Sequence, residues 1–231
     1  AAACLRRSRV ALLGSGDELV APGEPLAPGQ IYEANLPGLA AQAAAAGAEV
    51  VRIGHVRDDR AATEAAVHAA LAGDGGGHAP ELLVTAGGVS VGRHDHLRPA
   101  LVAAGVEELV AGIQIRPGHP LWLGRRGDQL VLGLPGNPVS AAVCFHLFAR
   151  PLLGRDEPWH RVAPLAEHRR ATTVRADFIR CSWLGSRLRP LPLQVSLAGT
   201  SMAGAEAIAW IPAGGRDVRA GDPVRFTSLE D

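Results

Sequence analysis

Glu81-Leu82-Leu83-Val84-Thr85-Ala86-Gly87-Gly88-Val89-Ser90-Val91-Gly92-Arg93-His94-Asp95 is the stretch on which the fold turns. Glu81 to Thr85 is an apolar run of strand length, and it breaks into a glycine-rich loop before Asp95 opens a helix that ends near Gly105. Strand, loop and helix in this order form the repeating unit of a parallel sheet, whose neighbouring strands need a crossover. The rhythm continues on both sides. Upstream, Val10 to Leu13 reads as a strand ending in Gly14-Ser15-Gly16, and Asn35 as the N-cap of a helix through Ala46 with Gly47 as its stop. A strand at Ala48 to Val56 then leads into Asp58-Asp59, which caps a helix through Ala72. Downstream come a strand at Val106 to Ile115, a hairpin at Leu121 to Leu134, and a helix from Asn137-Pro138 through Leu153. The fold class is therefore α/β, a three-layer, mostly parallel sheet over residues 1–154.

Beyond Gly154 the short apolar stretches are split by Pro and Gly and carry no 3.6-residue period, which predicts a small all-β domain over 155–231. Of the chain's 231 residues 47% are apolar and only 4% aromatic, so Trp159, Trp183 and Trp210 are expected in the core of that domain, and Trp122 in the hairpin. The 23 basic and 23 acidic residues balance, which argues against nucleic acid as a partner, and no apolar run approaches the roughly 20 residues of a membrane span. Three widely spaced cysteines suggest neither a disulfide framework nor a zinc site, so a reducing cytoplasm is expected. All 23 basic residues are Arg, which reads as a compositional bias.

Four loops stand where such a sheet places ligands, at the carboxyl ends of strands and the starts of helices. Gly14-Ser15-Gly16-Asp17-Glu18-Leu19 combines small residues, which allow close backbone approach, with two acids. Arg57-Asp58-Asp59 fits helix capping as well as a ligand-facing acid. In Thr85 to Asp95 converging N–H groups suit a phosphate or a pterin, beside the reading as a plain glycine-rich turn. Gly133 to Ser140 presents a helix N-terminus to a cleft.

Together and in this order the loops resemble the molybdopterin molybdenumtransferase family, the MoeA and gephyrin E-domain type. The resemblance is carried by Gly16-Asp17-Glu18-Leu19, Gln30-Ile31-Tyr32, Asn35, Arg57-Asp58-Asp59, Gly87-Gly88-Val89-Ser90-Val91-Gly92, Asp95, Pro117-Gly118 and Gly133 to Ser140. It is close over residues 9–153 and looser at Phe178-Ile179-Arg180, Gln194-Val195-Ser196 and Thr200-Ser201-Met202. It implies a MogA-like sheet and a cytoplasmic, homodimeric enzyme that inserts molybdate into adenylated molybdopterin and releases AMP in a Mg²⁺-dependent step. A molybdopterin adenylyltransferase is implied as a further partner. By motif, the resemblance places catalytic acids at Glu18, Asp58 and Asp95, with Asp58 and Asp95 also holding the metal. Molybdopterin contacts fall on Ser15, Asn35, Thr85, Gly87, Gly88, Ser90, Gly92, Pro135, Gly136, Asn137 and Ser140, and molybdate contacts on Arg116, His119, Pro120, Arg180 and Ser201. These residue types suit the chemistry: a hard cation prefers carboxylate and phosphate oxygens, and a tetrahedral dianion prefers cationic donors.

The chain departs from the family at three basic positions. Arg116 stands where Lys is common, His119 replaces the Lys of the P-G-K-P segment, and Gly112 stands about where some members carry a further basic residue. Arg keeps the charge but changes its shape, whereas imidazole, with an ordinary pKa of about 6.5, is largely neutral at pH 7. The family also carries two further domains N-terminal to this sheet, and a chain that opens at Ala1 without Met reads as a piece of a longer protein. Two alternatives stand beside the insertase reading: a non-catalytic molybdopterin-binding or scaffold module, and a molybdopterin adenylyltransferase.

Overall fold

The computed structural model describes residues 6–72, 78–88, 95–154, 159, 161–196 and 199–229. Its strands are β1 (Arg9–Ser15), β2 (Leu19–Val20), β3 (Ile31–Tyr32), β4 (Glu49–Val56), β5 (Leu82–Ala86), β6 (Glu107–Ala111) and β7 (Ile115–Arg116). They continue as β8 (Trp122–Arg126), β9 (Gln129–Leu134), β10 (Arg161–Pro164), β11 (Ala176–Leu184), β12 (Arg187–Pro190), β13 (Ala207–Ile211) and β14 (Pro223–Ser228). The helices are α1 (Asn35–Ala45), α2 (Arg60–Ala72), α3 (Leu97–Ala103) and α4 (Pro138–Cys144). Contacts divide the chain into two compact units, Ala1–Gly112 with Pro120–Gly136 and Ile113–His119 with Asn137–Asp231. The helix from residue 138 thus groups with the β-rich unit, whereas the sequence reading drew its boundary at 154.

The first unit is built on a six-stranded sheet in the order β4-β1-β5-β9-β8-β6, parallel from β4 to β9 and antiparallel at β8. β1 and β5 lie inside it and are buried almost throughout, as continuous apolar runs require. Alternation sorts their side chains. Ala11, Leu13, Leu83 and Val131 face a cluster with Val67, Ala70 and Leu71 of α2 and Leu97, Ala100 and Leu101 of α3. Helix α1 buries Leu36, Leu39 and Ala43 against β1 and β4 without joining that cluster, so it covers the opposite face. The result is the expected three-layer, mostly parallel α/β sheet. Trp122 lies in the α2/α3-side core, its Nε1–H donating to Glu108 Oε2 at 2.8 Å, and the hairpin closes at Arg126↔Gln129.

Three expectations about elements need correction. The single strand expected over Val106 to Ile115 is two: β6 ends at Ala111, and beyond Gly112 the chain turns so that β7 pairs in parallel with β11 of the other sheet. Asn35 does not cap α1. The cap position is Ala34, and Glu33 Oε1 accepts the N–H groups of Asn35 at 2.6 Å and Leu36 at 3.0 Å. Asp95 stands two residues ahead of α3, whose cap position is His96, while the backbone N–H of Arg98 in the first turn bonds the Asp95 carboxylate. The last helix also changes pitch, running from α4 through a π-helical turn, Phe145–Ala149, into Arg150–Leu152. Pro151 has no N–H for the Leu147 carbonyl, and the wider turn from Phe145 O to Arg150 N–H passes the ring without an α-helical clash.

The second unit carries an antiparallel sheet in the order β10-β14-β13-β11-β12, with β7 alongside β11. Its only helical turn among the described residues 161–229 is the 3₁₀ turn Gly199–Met202. The core is Ala163, Leu165, Ile179, Cys181, Leu188, Ala207, Ala209, Ile211, Val224 and Phe226. The tryptophans are not its centre: Trp159 packs against Phe178 at a ring distance of 5.3 Å and against Trp210 at 6.1 Å, and Trp183, 37% exposed, packs edge-on against Phe226. The core fills with small and branched residues because the alternation of β13 sends Ala207, Ala209 and Ile211 to one face and Trp210 to the other.

One buried polar chain ties the last helix to β14. Arg150 donates to His146 Nδ1 at 3.0 Å, which leaves the proton on Nε2 to meet Thr227 Oγ1 at 2.8 Å. Burial first, and the neighbouring Arg150 charge second, push the His146 pKa down from 6.5 to about 4. A depressed imidazole stabilises the fold fully above pH 6.5 and loses that contribution as pH falls toward 4, because the unfolded chain takes up the proton first. At about 1.4 kcal/mol per pH unit the loss reaches about 3 kcal/mol. Denaturant titrations at pH 7 and pH 4 should show it in the wild type, and His146→Gln should remove that part of the pH dependence.

Candidate functional site

The carboxyl ends of β1, β5 and β9 come together with almost nothing between their backbones. Gly87 has φ +81°, and a Cβ there would lie 2.9 Å from the Ser15 carbonyl oxygen, so only glycine fits. Its N–H donates to Leu134 O at 3.2 Å. Ser15 Oγ reaches beside Gly88, 2.8 Å from where a Cβ would stand, and Gly136 packs on Gly87. Asn35 ties the start of α1 to the same edge, its Nδ2–H donating to Gly136 O at 2.8 Å. Ser15, Asn35, Gly87, Gly88 and Gly136 are therefore brought to one place in the first unit, with Pro135 buried beside them in sequence. Thr85 is fully buried beneath, and Ser90 and Gly92 lie outside the described residues.

Two of the three expected acids, Asp58 and Asp95, are near enough for one charge to act on the other. Asp58 is close enough for its charge to raise the Asp95 pKa further, although desolvation is the largest cause of a rise from 3.8 to about 6. A backbone hydrogen bond from Arg98 and the charges of Arg98 and His96 offset part of this. No side chain among the described residues bonds either Asp95 oxygen. Asp58 belongs to a turn pinned to the first loop: its N–H donates to Asp17 Oδ1 at 3.1 Å, Arg57 lies 3.9 Å from Asp17, and His55 Nε2 is 3.1 Å from Gly16 O. The helix cap is Asp59, whose Oδ1 accepts the Ala62 N–H at 2.8 Å, and Asp58 is left free of that task. Glu18 is exposed and folds back over Gly16, its carboxylate about 3 Å from where a Cβ would stand.

The basic residues Arg116, His119 and Arg180 belong to the second unit. Arg116 is held by a two-pronged pair with Asp177, across the register in which β7 lies beside β11. The half-buried His119 places Nδ1 2.8 Å from Ile113 O, and the Ile113 N–H returns to His119 O at 2.9 Å, so the 113–119 turn is closed at both ends. Gly118 between them has φ +113°, and a Cβ there would lie 2.3 Å from Cys144 Sγ. Cys144 is accordingly a packing residue, its thiol pushed by burial up to about 12. Arg180, 1% exposed, donates to the carbonyls of Ser201, Leu193 and Val195 at 3.0 to 3.2 Å, and Ser201 Oγ to Val195 O at 2.7 Å. Arg180 and Ser201 are thus neighbours, and burial works against the guanidinium charge. Ser140 is buried and Asn137 is exposed in this unit, while the half-buried Pro120 belongs to the first.

Sequence reasoning missed Glu33, Asp177 and Gln194. Glu33 stands just ahead of a residue that already looked like a cap, and Asp177 lies 61 residues from its partner Arg116. Gln194, which brackets Arg180 with bonds to its N–H at 3.1 Å and its carbonyl at 2.8 Å, was visible only as part of a motif.

The chain matches a family described as "Probable molybdopterin binding domain" over residues 11–155. It is 40% identical over 174 residues to molybdopterin molybdenumtransferase 2 of Mycobacterium tuberculosis, covering 70% of this chain and 41% of that one. It is 35% identical over 235 residues to the molybdopterin molybdenumtransferase of Synechococcus elongatus, covering 95% and 55%. The solved molybdopterin biosynthesis MoeA protein of Pyrococcus horikoshii superimposes with a TM-score of 0.79 at 29% identity, over 96% of this chain and 55% of that one. The chain spans about half or less of the length of these relatives. With a glycine-built carboxyl edge and a family match over residues 11–155, the chain belongs to the molybdopterin-binding domain family.

Proposed function

We propose that the chain serves the Mg²⁺-dependent insertion of molybdate into adenylated molybdopterin, with release of AMP, as part of a homodimeric enzyme. The supporting observation is Asp95, a half-buried carboxylate within reach of the Asp58 charge, which desolvation lifts to about 6 and which no side chain among the described residues bonds. A carboxylate kept this way costs stability, and a divalent cation is the partner that offsets the cost. No cluster of three or more His, Cys, Asp or Glu able to hold a metal occurs among the described residues. That suits Mg²⁺, which keeps its waters and binds through one or two carboxylates plus substrate phosphates. Asp58 and Asp95 would hold the ion, and when bound it supplies charge neutralisation at the pyrophosphate. Ser15, Gly87, Gly88 and Gly136 offer the molybdopterin a close backbone surface, and Glu18 brings an exposed carboxylate to the same loops. Arg180, Ser201 and His119 are the proposed molybdate contacts, and a molybdopterin adenylyltransferase is the proposed supplier of substrate.

A second reading, molybdopterin binding without turnover, draws on Arg116, whose guanidinium is engaged by Asp177, and on Arg180, whose N–H groups already serve carbonyls. Release of AMP from adenylated molybdopterin on adding molybdate and Mg²⁺ supports insertion; binding with no AMP release supports the module; ATP consumption points to an adenylyltransferase.

Two outcomes follow from the side chains. Asp95→Asn should abolish Mg²⁺-dependent turnover and at the same time raise the melting temperature at pH 7 to 8. An acid whose pKa rises on folding lowers stability as pH passes from 3.8 through about 6, and the amide escapes that loss. Melting curves at pH 4 and pH 8 for both proteins check the sign. For His119, Nδ1–H on Ile113 O leaves Nε2 as a lone pair in the neutral ring, so only the protonated ring has a donor left for an oxyanion. His119→Ala, which removes the ring, should therefore weaken molybdate binding measured by calorimetry, and His119→Lys, which brings a fixed cation with free donors, should strengthen it.

A further inference from the structure

We infer that Glu33, which no sequence motif singled out, is a positioning residue that sets the molybdopterin-facing loops through Asn35; the inference rests on the reading of that edge as the molybdopterin site. Glu33 is 7% exposed and its Oε1 takes two N–H groups of the first turn of α1, at 2.6 and 3.0 Å. Ala34, the cap position, has helical dihedrals and contributes no side-chain bond, so the carboxylate alone fixes where the helix begins. One of those two N–H groups belongs to Asn35, and the side chain of Asn35, 8% exposed, is the group that holds Gly136 O at 2.8 Å. Gly136 in turn packs on Gly87, whose N–H is bonded to Leu134 O. A displacement of Asn35 thus passes to two of the four loops by direct contact. The other oxygen of Glu33 supports the same arrangement from beneath. It is buried without a hydrogen-bond partner among the described residues, 3.0 Å from where a Cβ on Gly14 would stand, so the carboxylate is wedged between α1 and the end of β1.

The two bonds cap α1, and because one of them goes to the residue whose side chain holds Gly136 O, the same carboxylate also fixes where Asn35 stands. The geometry makes Glu33 and Asn35 one unit, in which loss of either member leaves the other without its effect on Gly136.

The test is a cycle of Glu33→Ala, Glu33→Gln, Asn35→Ala and the double variant Glu33→Ala/Asn35→Ala. AMP with Mg²⁺ serves as the probe in calorimetry, and the amide resonances of Gly87 and Gly136 give a second readout. Glu33→Ala is expected to weaken AMP binding about tenfold and to shift both resonances. Glu33→Gln keeps an acceptor oxygen for the two helix N–H groups and should restore both readouts. The double variant should bind no more weakly than Asn35→Ala alone. Additive losses in the double variant mean that Glu33 acts on the helix by itself, and they overturn the inference, as do unmoved Gly87 and Gly136 resonances in Glu33→Ala. If Glu33→Ala does not fold, Glu33→Ser keeps a short cap acceptor and takes its place in the cycle. If the wild-type chain does not bind AMP, the functional reading fails, and the resonances still decide whether Glu33 works through Asn35.

Discussion

Backbone must touch backbone at the carboxyl edge of β1, β5 and β9, and the rest of the first unit is arranged around that contact. A side chain at Gly87 would displace the Ser15 carbonyl, and Gly136 leans on Gly87 in turn. Such an edge is only as firm as the strands behind it. β1 and β5 are buried along nearly their whole length, with helices on both faces of the sheet, so the ends of the strands have little freedom. The side chains bordering the edge are short or capped: Ser15, Asn35 and a carboxylate already committed to a helix. What remains is a surface of glycine backbone, which leaves room for a group that has to come close.

Against this economy Asp95 is an expense. A well-packed fold pairs its buried carboxylates, yet here desolvation lifts the pKa to about 6 against the backbone hydrogen bond from Arg98, and no side chain among the described residues bonds either oxygen. Sites that break a local rule for stability are where function is most often found, because the missing partner arrives with the ligand. The contrast with Asp59 is instructive. Asp59, next to Asp58 in sequence, spends its carboxylate on capping α2, and Asp58 keeps its charge for Asp95. In a pair of adjacent acids, the one that caps and the one that serves are told apart by a single hydrogen bond.

That distinction marks the limit of what the sequence discloses. Central strands were legible because parallel burial demands an unbroken apolar run, and Leu82 to Ala86 is one. The glycine loops were legible because backbone approach has no other residue to use. Features set by distant partners were not. Nothing in Val106 to Ile115 says that its last residues pair with β11, since that depends on Gly112 and on a strand more than 60 residues away. The role of Glu33 was hidden behind Asn35, a better cap by propensity, because the outcome depended on Asn35 being needed at Gly136. Trp159, Trp183 and Trp210 were misplaced for a related reason: volume alone suggests a core, but alternation along β13 and β11 assigns the face, and it filled the core with Ala, Ile and Val.

The same dependence on partners explains one departure at the basic positions. Lys at 116 would meet Asp177 as a single point charge, whereas the planar guanidinium of Arg116 engages both of its oxygens across the β7–β11 register. The substitution therefore does more than preserve a charge, because it commits that charge to fastening the short strand β7 into the second sheet. His119 closes the turn that follows through its Nδ1 and leaves one nitrogen uncommitted. Between them Gly118 lies so close to Cys144 that the turn cannot be re-formed around a larger residue. The Arg116 to His119 segment is thus fixed in shape by Asp177, Ile113 and Cys144. A segment held at three points presents its side chains in one arrangement, so a change of residue within it alters chemistry without altering the fold that presents it.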